Sequence, residues 1–301
     1  MFPCYTKALE TNFAGTPNML NRQKVLLSML EQADRPVGRI ELMKWAFYLR
    51  EATPSKGGDS FYDFLPYHFG PFSFALYQEV GKLEEQGYVV SYDDNHWKIG
   101  SNKPIKPPKE IAIDAKKAVN ALSHLSVDNL LDQIYSRFPY YTMNSKRQKL
   151  ANRPSGRKEI YTSGYEGLSI DAFLNRLIEN GIQRLIDVRR NPIARRYGFH
   201  KSTLKRLAET LGIAYVHYPE LGIPSELRQS LETQDDYDRL FQKYKLTTLA
   251  TEKNAIESAA SLCSEMPSVL VCMEAKPSCC HRSHLATKIA AQLKLPVTHL
   301  K

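Results

Sequence analysis

The sequence predicts an α/β chain: an open parallel sheet in its second half, preceded by a smaller α+β unit. From residue 159 onward, short apolar and β-branched runs alternate with stretches of helical periodicity, the order that produces a parallel sheet. Before residue 101 come two amphipathic helical stretches, an aromatic extended stretch, a third helix and a hairpin. At 301 residues, 43% hydrophobic and 24% charged, the chain is long enough for two ordinary domains, and its composition excludes disorder and collagen.

Residues 22–33 (RQKVLLSMLEQA) and 40–52 (IELMKWAFYLREA) space their apolar side chains helically, with a turn from Pro36 to Gly38. DFLPYHFGPF reads as extended. Ser73 is predicted to cap the helix FALYQEVGKLEEQG and Gly87 to end it. YVVSYDDNHWKIG reads as two strands around a turn at Asp93 to Asn95. This is the parts list of a winged helix, and YHFGPFSFALYQEVGKLEEQGYV resembles the winged helices of bacterial antitoxin-like and regulatory proteins. The helix that would enter a major groove carries Glu79, Glu84 and Glu85 against Lys82, a poor charge for phosphate contacts. A protein partner or a homodimer contact is therefore as natural an expectation for this unit as DNA.

Residues 1–100 are assigned to the winged-helix-like unit, 101–158 to a basic linker and helical connector, and 159–301 to the α/β domain. The connector opens with the proline-rich SNKPIKPPKE and holds two helices, IDAKKAVNALSHL and SVDNLLDQIYSRF, the second capped by Ser126. The expected strands of the α/β domain are EIYTSGY, QRLIDVR, AYVHYP, SVLVCME and PVTHL. Its helices are SIDAFLNRLIENG, HKSTLKRLAETLG, a region near 235–263, and HRSHLATKIAAQL.

The net charge of +9 comes from the middle third, where residues 101–200 hold 18 Lys and Arg against 9 Asp and Glu. A run from Arg189 through Arg190, Arg195, Arg196 and Lys201, interleaved with Tyr197, combines phosphate-neutralising groups with flat rings, the composition of a nucleic-acid or nucleotide surface. No run approaches the roughly 18 apolar residues of a membrane helix, and MFPCYTKALETNF lacks a signal-peptide layout. A cytoplasmic protein without membrane contact is expected. The cysteines, Cys4, Cys263, Cys272, Cys279 and Cys280, are odd in number and unevenly placed, which argues against a disulfide framework.

In an open parallel sheet, ligands bind beyond the carboxyl ends of the strands. Those ends carry Tyr165 and Glu166 in SGYEG, Asp187 and Arg189 in DVRRNP, and Cys272 and Glu274 in CMEAKPSCCHR, with Cys280, His281 and Arg282 opening the next helix. The succession SGYEG, DVR with a following proline, YPELG and CMEAKPSCCHR resembles the family known as domain of unknown function 488 over residues 159–301. The resemblance implies a flavodoxin-like or Rossmann-like domain whose motifs line one cleft, with an association with nucleic-acid metabolism and defence. Gly222-Ile223-Pro224 departs from the double glycine of many relatives.

A carboxylate beside a sugar stabilises an oxocarbenium-like transition state while an acid protonates the leaving group. Glu274 first and Asp187 second are the candidates, with Glu166 near them. Arg189, Arg282 and His281 would hold phosphate or sugar, Tyr165 would stack on a base or donate a proton, and Cys272 would shape the pocket. The leading expectation is a glycosidase-like hydrolase acting on a base or nucleotide. The alternatives are a non-enzymatic nucleic-acid-binding or regulatory module, and sulfur or thiol transfer through Cys280, a thiol at a helix N-terminus. No cofactor is expected: Walker-type and Gly-x-Gly-x-x-Gly loops are missing. No metal is expected either, because adjacent helical residues such as Cys280 and His281 would diverge by about 100°.

Overall fold

The computed structural model describes residues 19–227 and 231–301; Cys4 and the N-terminal run lie outside the described residues. The chain divides into two compact units, with the boundary between Arg153 and Pro154.

The N-terminal unit runs α1 (Asn21–Ala33), β1 (Val37–Gly38), α2 (Arg39–Ala52), β2 (Leu65–Tyr67), β3 (Gly70–Phe72), α3 (Phe74–Glu85), β4 (Val89–Ser91), β5 (His96–Ile99), α4 (Lys109–Leu122) and α5 (Val127–Arg137). β1, β5 and β4 form an antiparallel sheet in that order, and β2 pairs with β3 as a separate ribbon. The local signals in the sequence act as expected. The Ser73 hydroxyl accepts from Leu76 N at 3.2 Å at the start of α3, Ser126 does the same for Asn129 N at 3.3 Å in α5, and Gly87 takes φ +73° to end α3. α4 and α5, read from the sequence as a connector, pack against α1 and α2, and their Ala118, Leu122, Leu130 and Ile134 join one core with Leu26, Trp45 and Phe47. Glu79, read as a groove-facing acid, is buried in an ion pair with Arg22 at 2.5 Å and accepts from Tyr62 OH at 2.7 Å.

The C-terminal unit runs β6 (Ile160–Gly164), α6 (Ile170–Glu179), β7 (Arg184–Asp187), α7 (Lys201–Thr210), β8 (Ala214–His217), α8 (Gln234–Leu246), α9 (Thr248–Thr251), α10 (Lys253–Glu265), β9 (Ser268–Cys272), α11 (His281–Leu293) and β10 (Val297–Leu300). The five strands form one parallel sheet in the order β10-β6-β9-β7-β8. Central β6, β7 and β9 are buried along their whole length, which is why they read as continuous apolar runs, while β8 at the edge is only partly covered. Through α7 the chain leaves β7 toward β8, and through α11 it leaves β9 in the opposite direction, toward β10. The neighbours β7 and β9 thus bracket a topological switch point, the place where ligands bind in open parallel sheets.

Among the described residues, no helix is long and apolar enough to cross a membrane.

Candidate functional site

Two polar clusters flank the switch point. The first is centred on Asp187, the last residue of β7 and fully buried. Arg189 donates from Nε to Asp187 Oδ1 at 2.8 Å and from Nη2 to Oδ2 at 2.5 Å, and its backbone N–H reaches Oδ1 at 3.1 Å. Tyr215 OH donates to Oδ2 at 2.7 Å. The remaining guanidinium nitrogen, Nη1, donates to Tyr165 OH at 2.9 Å and to the Phe199 carbonyl at 2.8 Å. Burial works against the charged guanidinium, but the Asp187 bonds and charge outweigh it and raise the Arg189 pKa. Burial, then the Asp187 charge, pushes the Tyr215 phenol up. The Tyr165 ring is stacked on Phe199 at 4.1 Å between centroids and is only 7% exposed, so it belongs to the core of this cluster instead of presenting a free face to a base. Asp187 and Arg189, read from the sequence as an acid and a phosphate holder, are closed into each other.

The second cluster gathers around Glu274, two residues beyond β9. Its Oε2 accepts from Cys272 Sγ at 3.0 Å and from Cys280 Sγ at 2.9 Å. Cys272 Sγ also lies 3.8 Å from His281 Nδ1, and His281 Nε2 lies 3.1 Å from the Val188 carbonyl oxygen, which ties the start of α11 to the end of β7. Burial holds Cys280 protonated, as the donor to Glu274, and burial raises the Glu274 carboxyl.

Backbone fixes this loop. Arg282, 1% exposed, donates from Nη1 to the Glu274 carbonyl and from Nη2 to the Ala275 carbonyl at 3.0 Å, so it positions the loop and does not face a ligand. Glu166 accepts from Ala275 N at 2.9 Å, and the N–H groups of Tyr165 and Glu166 both reach the Met273 carbonyl. Gly164 permits the approach: a Cβ there would stand 1.9 Å from the Glu274 carbonyl oxygen. Gly222, in the segment that departs from a double glycine, does the same for the segment after β7, since a Cβ would lie 2.3 Å from Arg190 N.

One ligand atom from each of Cys272, Cys280 and His281 lies within 4.8 Å of the others. This corrects the expectation that Cys280 and His281 would diverge as neighbours on a helix. Cys280 is the N-cap of α11, with extended φ −139° and ψ 134°, so the helical angle between successive side chains does not apply to the pair. The basic residues Arg190, Arg195, Arg196 and Lys201 are exposed on the segment that leaves β7, with Tyr197 half-buried among them and Ile193 79% exposed.

Sequence reasoning missed Tyr215 and the Val188 carbonyl. Tyr215 was findable: it stands two residues before His217, the register partner of Asp187, and so on the same face of the sheet. A backbone carbonyl carries no sequence signal.

Residues 169–289 match the family model described as Domain of unknown function DUF488. No curated protein and no solved structure matches the chain. The winged-helix likeness of the first unit therefore rests on the order of its elements.

Proposed function

We infer that this chain, whose residues 169–289 match the Domain of unknown function DUF488 model, hydrolyses a carbon–nitrogen bond in a nucleotide or nucleic acid, with Glu274 as the group that moves the proton. The N-glycosidic bond is the first candidate. One observation carries the reading: at the switch point, Glu274 is a half-buried carboxylate whose side-chain partners are two thiols, whereas Asp187 is closed by a guanidinium and a phenol. A carboxylate held by weak thiol donors keeps the freedom to take and return a proton. The exposed basic residues from Arg190 to Lys201 leave the neighbouring strand and suit the phosphates of such a substrate.

Direct sulfur transfer through Cys280 is disfavoured because burial holds its thiol protonated. The cysteines are unpaired among the described residues, which suits a reducing compartment, and the cytoplasm is proposed. The N-terminal unit keeps Glu84 and Glu85 on α3 against Lys82 and is proposed to bind a protein or a second copy of the chain. A chain that stays monomeric in light scattering and binds duplex DNA through this unit would reverse that assignment.

The test is incubation of the full chain with labelled single- and double-stranded DNA and RNA and with free nucleotides. Binding is read on native gels, abasic sites by alkaline cleavage, and free products by mass spectrometry. Turnover that falls by about 10²-fold or more in Glu274→Gln, with affinity within about twofold, is expected. Equal turnover in Glu274→Gln, or none on any of these substrates, sinks the reading.

A further inference from the structure

We propose that Cys272, Cys280 and His281 form a site for a zinc-class divalent cation at the carboxyl end of β9, with the Glu274 side chain beside it. The three residues are buried and offer ligand atoms within 4.8 Å of one another. Tetrahedral zinc, with sulfur near 2.3 Å and nitrogen near 2.0 Å, sets its ligands roughly 3.5–3.8 Å apart. Cys272 Sγ and His281 Nδ1 are 3.8 Å apart.

The orientation of the imidazole agrees with this. The Val188 carbonyl carries no proton, so its 3.1 Å contact puts the proton on Nε2 and directs the Nδ1 lone pair toward Cys272. Metal-bound histidines characteristically donate their other N–H to a carbonyl or carboxylate in this way. The N-cap conformation of Cys280 turns its sulfur onto the same Glu274 oxygen that Cys272 contacts. Arg282, the nearest cation along the chain, spends its Nη groups on two backbone carbonyls and holds the loop. Two thiols and an imidazole are a soft donor set, suited to zinc over magnesium or calcium. A divalent cation would replace the thiol protons as the charge that neutralises the cluster.

Three protein ligands leave one coordination position, the pattern of a catalytic centre. The proposal deepens the hydrolytic reading and rests on it only for the reaction. A cation held there would supply a water acidified by its charge, and Glu274 would stand beside that water to take up a proton.

The experiment uses reduced, chelator-stripped full-length protein titrated with Zn(II), and with Co(II) as the spectroscopic probe. One equivalent per chain is expected, with thiolate-to-cobalt charge transfer and tetrahedral visible bands. Cys272→Ser and Cys280→Ser should each weaken binding by more than about tenfold, while Glu274→Gln should bind within about twofold. No binding by the wild type, or binding unchanged in the double serine variant, overturns the site. Should the serine variants fail to fold, zinc-edge X-ray absorption on the loaded wild type decides. Two sulfurs near about 2.3 Å with an imidazole shell support the site, and a shell without sulfur overturns it. These readouts need no substrate. A loaded protein that turns over no nucleotide therefore defeats the hydrolytic reading and leaves the metal site standing.

Discussion

Asp187 and Glu274 are carboxylates at the ends of adjacent parallel strands, yet their surroundings assign them opposite roles. Asp187 is fully buried and accepts from the Arg189 backbone, two Arg189 side-chain nitrogens and Tyr215. Glu274 is half-buried and accepts side-chain bonds from Cys272 and Cys280. A carboxylate whose oxygens are taken up by a bidentate guanidinium and a phenol has little left to offer a substrate, whereas one held by thiols has only weak donors to displace. Position at a strand end nominates a residue for chemistry, and the partner decides whether it can take part.

The largest expected effect comes from breaking the first pair. Arg189→Met leaves the Asp187 carboxylate buried and uncompensated, and should cost about 3–5 kcal/mol. The loss is read from hydrogen exchange of the β7 and β8 amides, which flank the pair. Asp187→Leu combined with Arg189→Met removes both charges and should recover much of that loss. If Arg189→Met alone is neutral, the pair is not what closes this end of the sheet, and Asp187 returns as a candidate acid.

The sequence makes the strand ends legible and leaves their pairing unread. SGYEG, DVR and CMEAKPSCCHR place Tyr165, Asp187, Arg189, Glu274 and Cys280 at one edge, because the alternation of strands and helices determines where each strand stops. Whether Asp187 faces Arg189 or a substrate depends on rotamers and on Tyr215, which arrives from an edge strand 28 residues away. The grouping of Cys280 with His281 and Cys272 depends on one N-cap residue being extended. Helical periodicity assigned α4 and α5 correctly as helices, but it has no bearing on which core receives them.

A third buried charge sets the scale for a group with no counter-ion. Lys44 of α2 is 2% exposed and donates to the Pro71 carbonyl at 2.8 Å, and burial lowers its pKa to about 7 from 10.5. Between those values the unfolded chain binds a proton that the folded chain lacks, so stability rises with pH across the window, and the penalty is fully present below it. The gain should reach about 2 kcal/mol between about pH 7 and about pH 9, and it should vanish in Lys44→Met. Trp45 and Trp97 are the two tryptophans of the chain and both lie in the N-terminal unit, so their fluorescence during denaturation reads this unit. A pH-independent wild type would mean that Lys44 is solvated in the folded state.

The smallest effect sharpens the comparison most finely. Tyr215→Phe removes one donor from Asp187 Oδ2, which keeps its 2.5 Å bond from Arg189 Nη2. Since the acceptor is not orphaned, the loss should be about 1 kcal/mol, the ordinary worth of one hydrogen bond with a slight premium for the charged partner. Tyr215 lies on the edge strand and is only partly covered, so solvent can replace the lost phenol in part. The expected signature is faster hydrogen exchange confined to β8 and the end of β7, with turnover unchanged because Glu274 keeps its thiol partners. A loss of turnover without a loss of stability would show that the two carboxylates are coupled across the switch point. The path is already in place: Asp187 bonds Arg189, and Val188 between them gives its carbonyl to His281.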